Sequence, residues 1–303
     1  MPTLLIMGPT ASGKSALALA LAERIGGEIV NADSMQVYRD FRVLTARPTI
    51  EEEAQAPHHL YGRVDAAERY STGRWLTDAL TAIADVRARH KTPILVGGTG
   101  LYFKALTQGL AEMPSVDPDL RAALTQRAAS EGAPTLHAEL ATLDPQTAAR
   151  LEPNDAPRII RALEVIETTG ESITSFQANT RPALAAHEWR GLALTPDREA
   201  LYAAINTRFE RMLEQGALDE VRAFAARNLD PTLPATKAHG APALGAYLRG
   251  EISLAAATEI GQRDTRRYAK RQFTWIANQM PDWPRISDAP LDRRVAAARA
   301  LLR

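Results

Sequence analysis

The chain contains no cysteine, so disulfides, thiolate zinc sites and cysteine nucleophiles are excluded together, in keeping with a reducing cytoplasm. Lysine is nearly as scarce. Lys14, Lys91, Lys104, Lys237 and Lys270 are the five among 36 basic residues, so positive charge is carried almost wholly by guanidinium groups, whose planar fork suits phosphate oxygens. The formal net charge is 0, so no bulk field attracts nucleic acid, and any such partner has to be held by local patches. Long hydrophobic runs are also missing. The N-terminal apolar run goes from Thr3 to Met7 and stops at Gly8, without a basic leader and far short of the roughly 20 residues a membrane span needs. It reads as a buried strand, and no membrane partner is expected. There is no internal repeat, low-complexity tract or flexible linker.

The elements that are present alternate. A strand at Thr3 to Met7 leads to a helix with Leu17, Leu21 and Ile25 at i, i+4, i+8, and a second strand runs from Glu28 to Val30. A helix from Ser71 to His90, with Trp75, Leu76, Leu80, Ile83 and Val86 on its apolar side, precedes a strand at Pro93 to Val96 and a helix from Thr99 to Gln108. This pattern implies parallel strands with right-handed crossovers. From Met113 the strand-like runs vanish. Helical segments follow between breakers such as "SVDPDL", "SEGAPTL" and "EPNDAPR", and residues 110–190 hold 12 acidic and 7 basic side chains. A returning strand at Trp189 to Leu194 and helical stretches at Asp197 to Arg227, His239 to Leu248 and Leu254 to Asn278 complete the chain. The fold class is α/β, a P-loop NTPase-like core with a parallel sheet. The core covers 1–112 and 189–303, and a small all-helical insertion domain occupies 113–188.

Gly8-Pro9-Thr10-Ala11-Ser12-Gly13-Lys14-Ser15 matches G-x-x-x-x-G-K-[ST] between a strand and a helix, the context the motif requires. Its backbone N–H groups, the helix N-terminus and Lys14 make an anion cradle, and Ser15 can hold Mg²⁺. By itself the loop points to a nucleotide, ATP or GTP. An NTPase, however, also needs a metal-orienting acid after a second apolar strand. Here Ile94-Leu95-Val96 ends in Gly97-Gly98-Thr99-Gly100, where the glycines read as making room for a bulky ligand and Thr99 supplies a hydroxyl. The carboxylate stands instead at Asp33, after the neighbouring strand, at the sheet edge where open α/β folds bind ligands. A small-metabolite or nucleotide kinase would use the same loop, but lacks its acid here. A GTPase-like module would need an Asn-Lys-x-Asp sequence, which is not found.

Six segments together carry a family resemblance: Gly8 to Ser15, "DSMQVY" at Asp33 to Tyr38, "PHHL" at Pro57 to Leu60, "GGTGLY" at Gly97 to Tyr102, "RIIRALEV" at Arg158 to Val165 and "TRRYAKRQFTW" at Thr265 to Trp275. In this order they resemble the tRNA dimethylallyltransferases, almost end to end. The resemblance implies transfer of a dimethylallyl group from dimethylallyl diphosphate to N6 of adenosine 37, beside the tRNA anticodon. The loop then holds diphosphate with Mg²⁺, Asp33 acts on the adenine amine, and Thr99 assists. It further implies tRNA contacts at Asp33, Ser34, Met35, Gln36 and Thr99, and, in an insertion domain that binds the anticodon arm, at Arg121, Pro157, Arg158, Ile159, Ile160 and Arg161. A cytoplasmic monomer is expected.

Elementary chemistry agrees with those roles. An allylic diphosphate ionises toward a delocalised cation, so the main need is to stabilise the departing diphosphate. The adenine amine becomes acidic only as its new C–N bond forms, so a carboxylate needs no special basicity to take the proton. A base stacked in the anticodon loop must be flipped out to reach such a site, with Gly97 and Gly98 leaving it room. Arg263, Arg266, Arg267, Lys270 and Arg271 follow helical spacing and lie on an arc of roughly 140°. Arg267 and Lys270 are accordingly expected to meet RNA phosphates. The chain departs from the family at Phe41 to Pro48, where only Thr-Ala-basic-Pro survives of Asp-Ile-Gly-Thr-Ala-Lys-Pro. It departs again at His239 to Ala243, which replace Ile-Gly-Tyr-Lys-Glu. The zinc finger that some eukaryotic relatives append is not expected here.

Overall fold

The structure, a computed structural model, describes residues 1–113, 115–178 and 180–302, which form two compact units. The first combines residues 1–107 with 184–303, and the second is the segment 108–183. The sequence reading sets its insertion at 113–188, five residues later at each end than this second unit.

The first unit opens with β1 (Thr3–Met7), α1 (Lys14–Ile25), β2 (Glu28–Asn31), α2 (Ile50–Gln55), β3 (His58–His59), α3 (Thr72–Ala88), β4 (Pro93–Gly97) and α4 (Gly100–Thr107). The second unit contains α5 (Pro118–Ser130), α6 (Ala133–Leu143), α7 (Pro145–Ala148), α8 (Ala156–Thr169) and α9 (Ile173–Ala178). The first then resumes with β5 (Trp189–Leu194), α10 (Arg198–Glu214), α11 (Ala217–Ala225), α12 (Ala241–Leu248), α13 (Leu254–Gln279), β6 (Arg285–Ile286) and α14 (Leu291–Ala300). The stretch read as one helix from Asp197 to Arg227 breaks at Gly216, whose φ of 98° stops α10 and starts α11. Sequence reading does not find β3 and β6, which are two residues each and too short for an alternating pattern to register.

All six strands are parallel, in the order β3-β2-β4-β1-β5-β6. Both faces are covered, so the strands are continuous apolar runs, as a doubly covered parallel sheet requires. Leu4, Ile6, Ile94 and Val96 pack with Leu17 and Leu21 of α1 and Val295 of α14, while Leu5, Met7, Val30 and Leu95 pack with Trp75, Tyr102, Phe103 and Ile276 on the other face. The register aligns Met7 with Gly97 and Asn31 with Val96, so the loops after β1, β2 and β4 leave the sheet side by side. No helix among the described residues is long and apolar enough to cross a membrane.

The second unit has its own core, with Leu124, Leu136, Leu140, Ile159, Leu163 and Ile173 at its centre. Beside that core Glu164, 1% exposed, accepts from Arg121 Nε and Nη2 at 2.5 and 2.8 Å and from Arg161 Nη1 at 2.9 Å. Burial raises the Glu164 pKa, but the two guanidinium groups outweigh it and hold the carboxyl below its ordinary range. The pair orders α5 against α8. Replacing the carboxylate leaves two half-exposed cations facing a void, at a cost on the order of 1–3 kcal/mol. In Glu164→Ala we expect faster amide hydrogen exchange in α5 and α8 and unchanged exchange in the sheet. Equal protection in both proteins would show that the pair does not order the unit.

Candidate active site

The phosphate loop owes its shape to the residues around it. Ala11 and Gly13 adopt left-handed backbone, with φ of 65° and 81°, which turns the loop back over the start of α1. Gly13 caps that helix without a side chain, so the first N–H groups of α1 stay open to a ligand. Two distant helices brace the loop. The buried Gln272 of α13 accepts from Thr10 N at 2.9 Å and donates to Gly98 O at 3.0 Å, and Arg294 of α14 donates to Ser12 O at 2.9 Å. Ser12 Oγ is buried against Gly8 and has no hydrogen-bond partner among the described residues.

Lys14 Nζ reaches only Pro9 O, at 3.3 Å, and Arg208 of α10 donates to Thr10 Oγ1. Among the described residues neither cation forms a salt bridge, and desolvation acts on both. It lowers Lys14 to about 8 and Arg208 to about 10, against an opposing pull from Asp33 and, at Lys14, with further lowering by Arg208. Two partly buried cations against neutral acceptors, both lining an open cleft, form a site suited to an anion.

Asp33 shares a cavity with Arg208 and acts electrostatically on both cations. The buried Asn31 donates from Nδ2 to Asp33 O at 3.0 Å and to Leu60 O at 3.1 Å, while its Oδ1 accepts from Asp33 N at 2.8 Å. Asp33 Oδ1 accepts from Met35 N at 2.9 Å, and its second oxygen has no protein donor. Thr99 Oγ1 accepts from Ser34 N at 2.9 Å and lies 3.3 Å from Ser34 Oγ, so the two loops are tied together. Asp33, Thr10, Arg208, His239 and Tyr268 line a cavity of about 60 Å³ whose remaining walls are mostly apolar. Burial and the nearby Asp33 push the Tyr268 phenol up, so it stays neutral. A larger open cleft of about 850 Å³, lined by Lys14, Ser15, Arg42, Arg47, Arg208 and Arg211 among others, adjoins it.

The structure therefore brings Gly8 to Ser15, Asp33, Ser34, Met35 and Thr99 to one sheet edge. Gln36 is near, but its amide donates to Thr45 O and Ala46 O, both at 2.8 Å, and so holds the 41–48 loop. Arg121, Pro157, Arg158, Ile159, Ile160 and Arg161 belong to the second unit. There Arg158 pairs with Asp155, and Ile159 is fully buried in the core. On α13, Arg267 and Lys270 are exposed beside Trp275 and Gln279, whereas Arg266 bonds to Asn206 and Arg271 lies over the Tyr268 ring.

One expectation needs correction. Gly97 and Gly98 do not make room for a ligand, because the protein itself fills the space. A Cβ on Gly97 would overlap the Ala32 carbonyl, one on Gly98 the Gln272 amide, and one on Gly100 the Trp275 indole. These glycines let β4 and its loop approach Ala32 and α13 closely. Sequence reading also misses Arg208 and Gln272. Their signal is faint but present: each is a polar residue at a core-facing position of its helix, Arg208 in the i, i+3, i+4, i+7 series Ile205, Arg208, Phe209, Met212 and Gln272 among Thr265, Ala269 and Ile276.

The Lys14 shift has two consequences of opposite sense. Since its folded pKa lies below the ordinary 10.5, the charged form costs stability below about pH 8, and that cost fades as pH rises from 8 toward 10.5. Anion binding needs the ammonium, so affinity for inorganic diphosphate falls as pH rises through about 8. Titration calorimetry across pH 7 to 10 should show proton uptake on binding above about pH 8, and Lys14→Arg, which stays charged, should abolish the lysine's share. Identical profiles for both proteins would refute the assignment.

Comparison with known proteins agrees with this geometry. A family model described as IPP transferase matches residues 36–279, and one described as isopentenyl transferase matches residues 1–65. The tRNA dimethylallyltransferase of Nitrobacter hamburgensis is 57% identical over 280 residues, covering 92% of this chain and 88% of that protein. That of Hyphomonas neptunium is 53% identical over 303 residues, covering 100% and 96%. Among solved structures, the full-length tRNA isopentenylpyrophosphate transferase of Bacillus halodurans is 34% identical, with a TM-score of 0.71 over 99% of this chain and 95% of that one. A eukaryotic dimethylallyltransferase caught acting on tRNA shares 28% identity, with a TM-score of 0.82 over 99% of this chain and 77% of that one. Matched by that family model from 36 to 279 and by full-length relatives at 53 to 57% identity, this chain belongs to the IPP transferase family, the tRNA dimethylallyltransferases.

Proposed function

We propose that this enzyme transfers the dimethylallyl group of dimethylallyl diphosphate to N6 of adenosine 37 in tRNA, releasing diphosphate. The observation that carries this is Arg208, which lines both the cavity that holds Asp33 and the adjoining cleft that holds Lys14, so that two cations and a carboxylate face connected space. The relatives' names supply tRNA and the prenyl donor.

The roles follow from charge. As the C1–O bond of the donor breaks, negative charge grows on the diphosphate, where Lys14, Arg208 and the loop N–H groups meet it. The adenine N6 lone pair forms the C1–N bond, and the amine proton passes to the Asp33 carboxylate. Thr99 holds the backbone after Asp33 in place through Ser34. A magnesium ion fits the donor set only if shared with the ligand. Ser15 offers a hydroxyl at the start of α1, and no group of three or more His, Cys, Asp or Glu among the described residues could cage a metal. When bound, the ion neutralises charge on the diphosphate. The anticodon arm is assigned to the second unit and to the basic face of α13, and the protein acts as a cytoplasmic monomer.

With Mg²⁺, unmodified tRNA and either dimethylallyl diphosphate or ATP, nucleoside mass analysis should show a five-carbon gain on adenosine from the first donor alone. Phosphorylated RNA, or no product, would overturn the proposal. Asp33→Asn should bind tRNA normally and lose transfer by at least about a hundredfold; near-normal turnover would remove Asp33 from its role. Neutralising Arg267 and Lys270 together should weaken tRNA binding and lower its salt slope by about 2. An unchanged slope would return that face to plain solvated surface.

A further inference from the structure

On α10, Ile205, Arg208, Phe209 and Met212 share one face, and all four line the 60 Å³ cavity. Arg208 marks its diphosphate end. Phe209, only 4% exposed, forms part of the apolar lining with Leu44 and Ile205, and unlike Arg208 it does not line the adjoining cleft. What distinguishes Phe209 is what lies behind it. A Cβ on Gly240, where φ is 92°, would sit 2.8 Å from Phe209 Cε2, and a Cβ on Gly261 of α13 would overlap the ring's Cζ. The rim of the ring is wedged between the backbone before α12 and the backbone of α13, so it has no space into which to retreat. Side chains behind an aromatic wall can rotate away to enlarge a pocket, whereas a main chain cannot.

We propose that Phe209, backed by Gly240 and Gly261, is the wall that limits the prenyl donor to five carbons, an inference that rests on the prenyl-transfer reading above. The size of the cavity supports it. About 60 Å³ is less than half of the roughly 150 Å³ that holds a single benzene ring. Five carbons fit only by sharing space with the adjoining cleft, where the diphosphate lies, and Arg208 and Met212 line both. A ten-carbon chain directed into this cavity would meet the Phe209 ring. Because Arg208 precedes Phe209 on the same helix, the group that fixes the diphosphate and the group that stops the chain are held at a set separation.

The test uses the full chain with tRNA and two donors, dimethylallyl and geranyl diphosphate, and weighs the product nucleosides. The natural protein should add five carbons from the first donor and essentially none from the second. Phe209→Ala should produce a ten-carbon adenosine, with the geranyl-to-dimethylallyl ratio of kcat/KM raised at least about tenfold. Removing the ring from a buried site lowers stability, so Phe209→Leu, which retains an apolar core side chain, decides the matter if the alanine variant does not fold. A folded variant that still transfers five carbons and rejects ten refutes the wall, as does geranyl transfer by the natural protein. Absence of five-carbon transfer by the natural protein would instead strike the functional reading itself.

Discussion

Two partly buried cations with no carboxylate in contact among the described residues are the constraint around which this site is arranged. Lys14 and Arg208 reach only a carbonyl and a hydroxyl, and desolvation weakens the hold of each on its proton. Such a pair is costly until an anion arrives, and a diphosphate that gains charge as its ester bond breaks relieves it most at the moment of reaction. Asp33 is close enough to be felt by both cations, yet among the described residues no salt bridge joins it to either.

That separation depends on the sheet. The register that sets Met7 beside Gly97 and Asn31 beside Val96 delivers the three functional loops together. Helices then fix what the strands bring near: Gln272 bridges the phosphate loop and the loop carrying Thr99, and Arg294 braces the former from behind. Gly97, Gly98 and Gly100 contribute by what they lack, allowing Ala32, Gln272 and Trp275 to approach. The chemistry is thus positioned from both ends of the chain.

The same economy appears on α10. One helical face presents Arg208 and, a residue later, the Phe209 ring to the same cavity. In the second unit a buried carboxylate, Glu164, serves a comparable purpose for Arg121 and Arg161, holding two guanidinium groups in fixed directions where free arginines would sample many.

Much of this was legible in the primary structure. The phosphate loop, Asp33, Thr99, the parallel α/β core and the helical segment are local in origin: a glycine-rich turn between a strand and a helix, an acid at a strand end, and a loss of strand-like runs can each be read within a few residues. Prediction fails where meaning depends on contacts across long sequence separations. Gly97 and Gly98 read as room for a ligand because glycine reports close approach without saying to what, and only packing shows the neighbours to be Ala32 and Gln272. Arg208 and Gln272 looked like ordinary helical residues, since a polar side chain on a core-facing position acquires its role from the distant loop it meets, 198 and 262 residues away from Thr10. Sequence determined the local motifs, a phosphate loop and an acid at a strand end; tertiary structure decided which groups hold them, because hydrogen bonds and desolvation are set by neighbours in space.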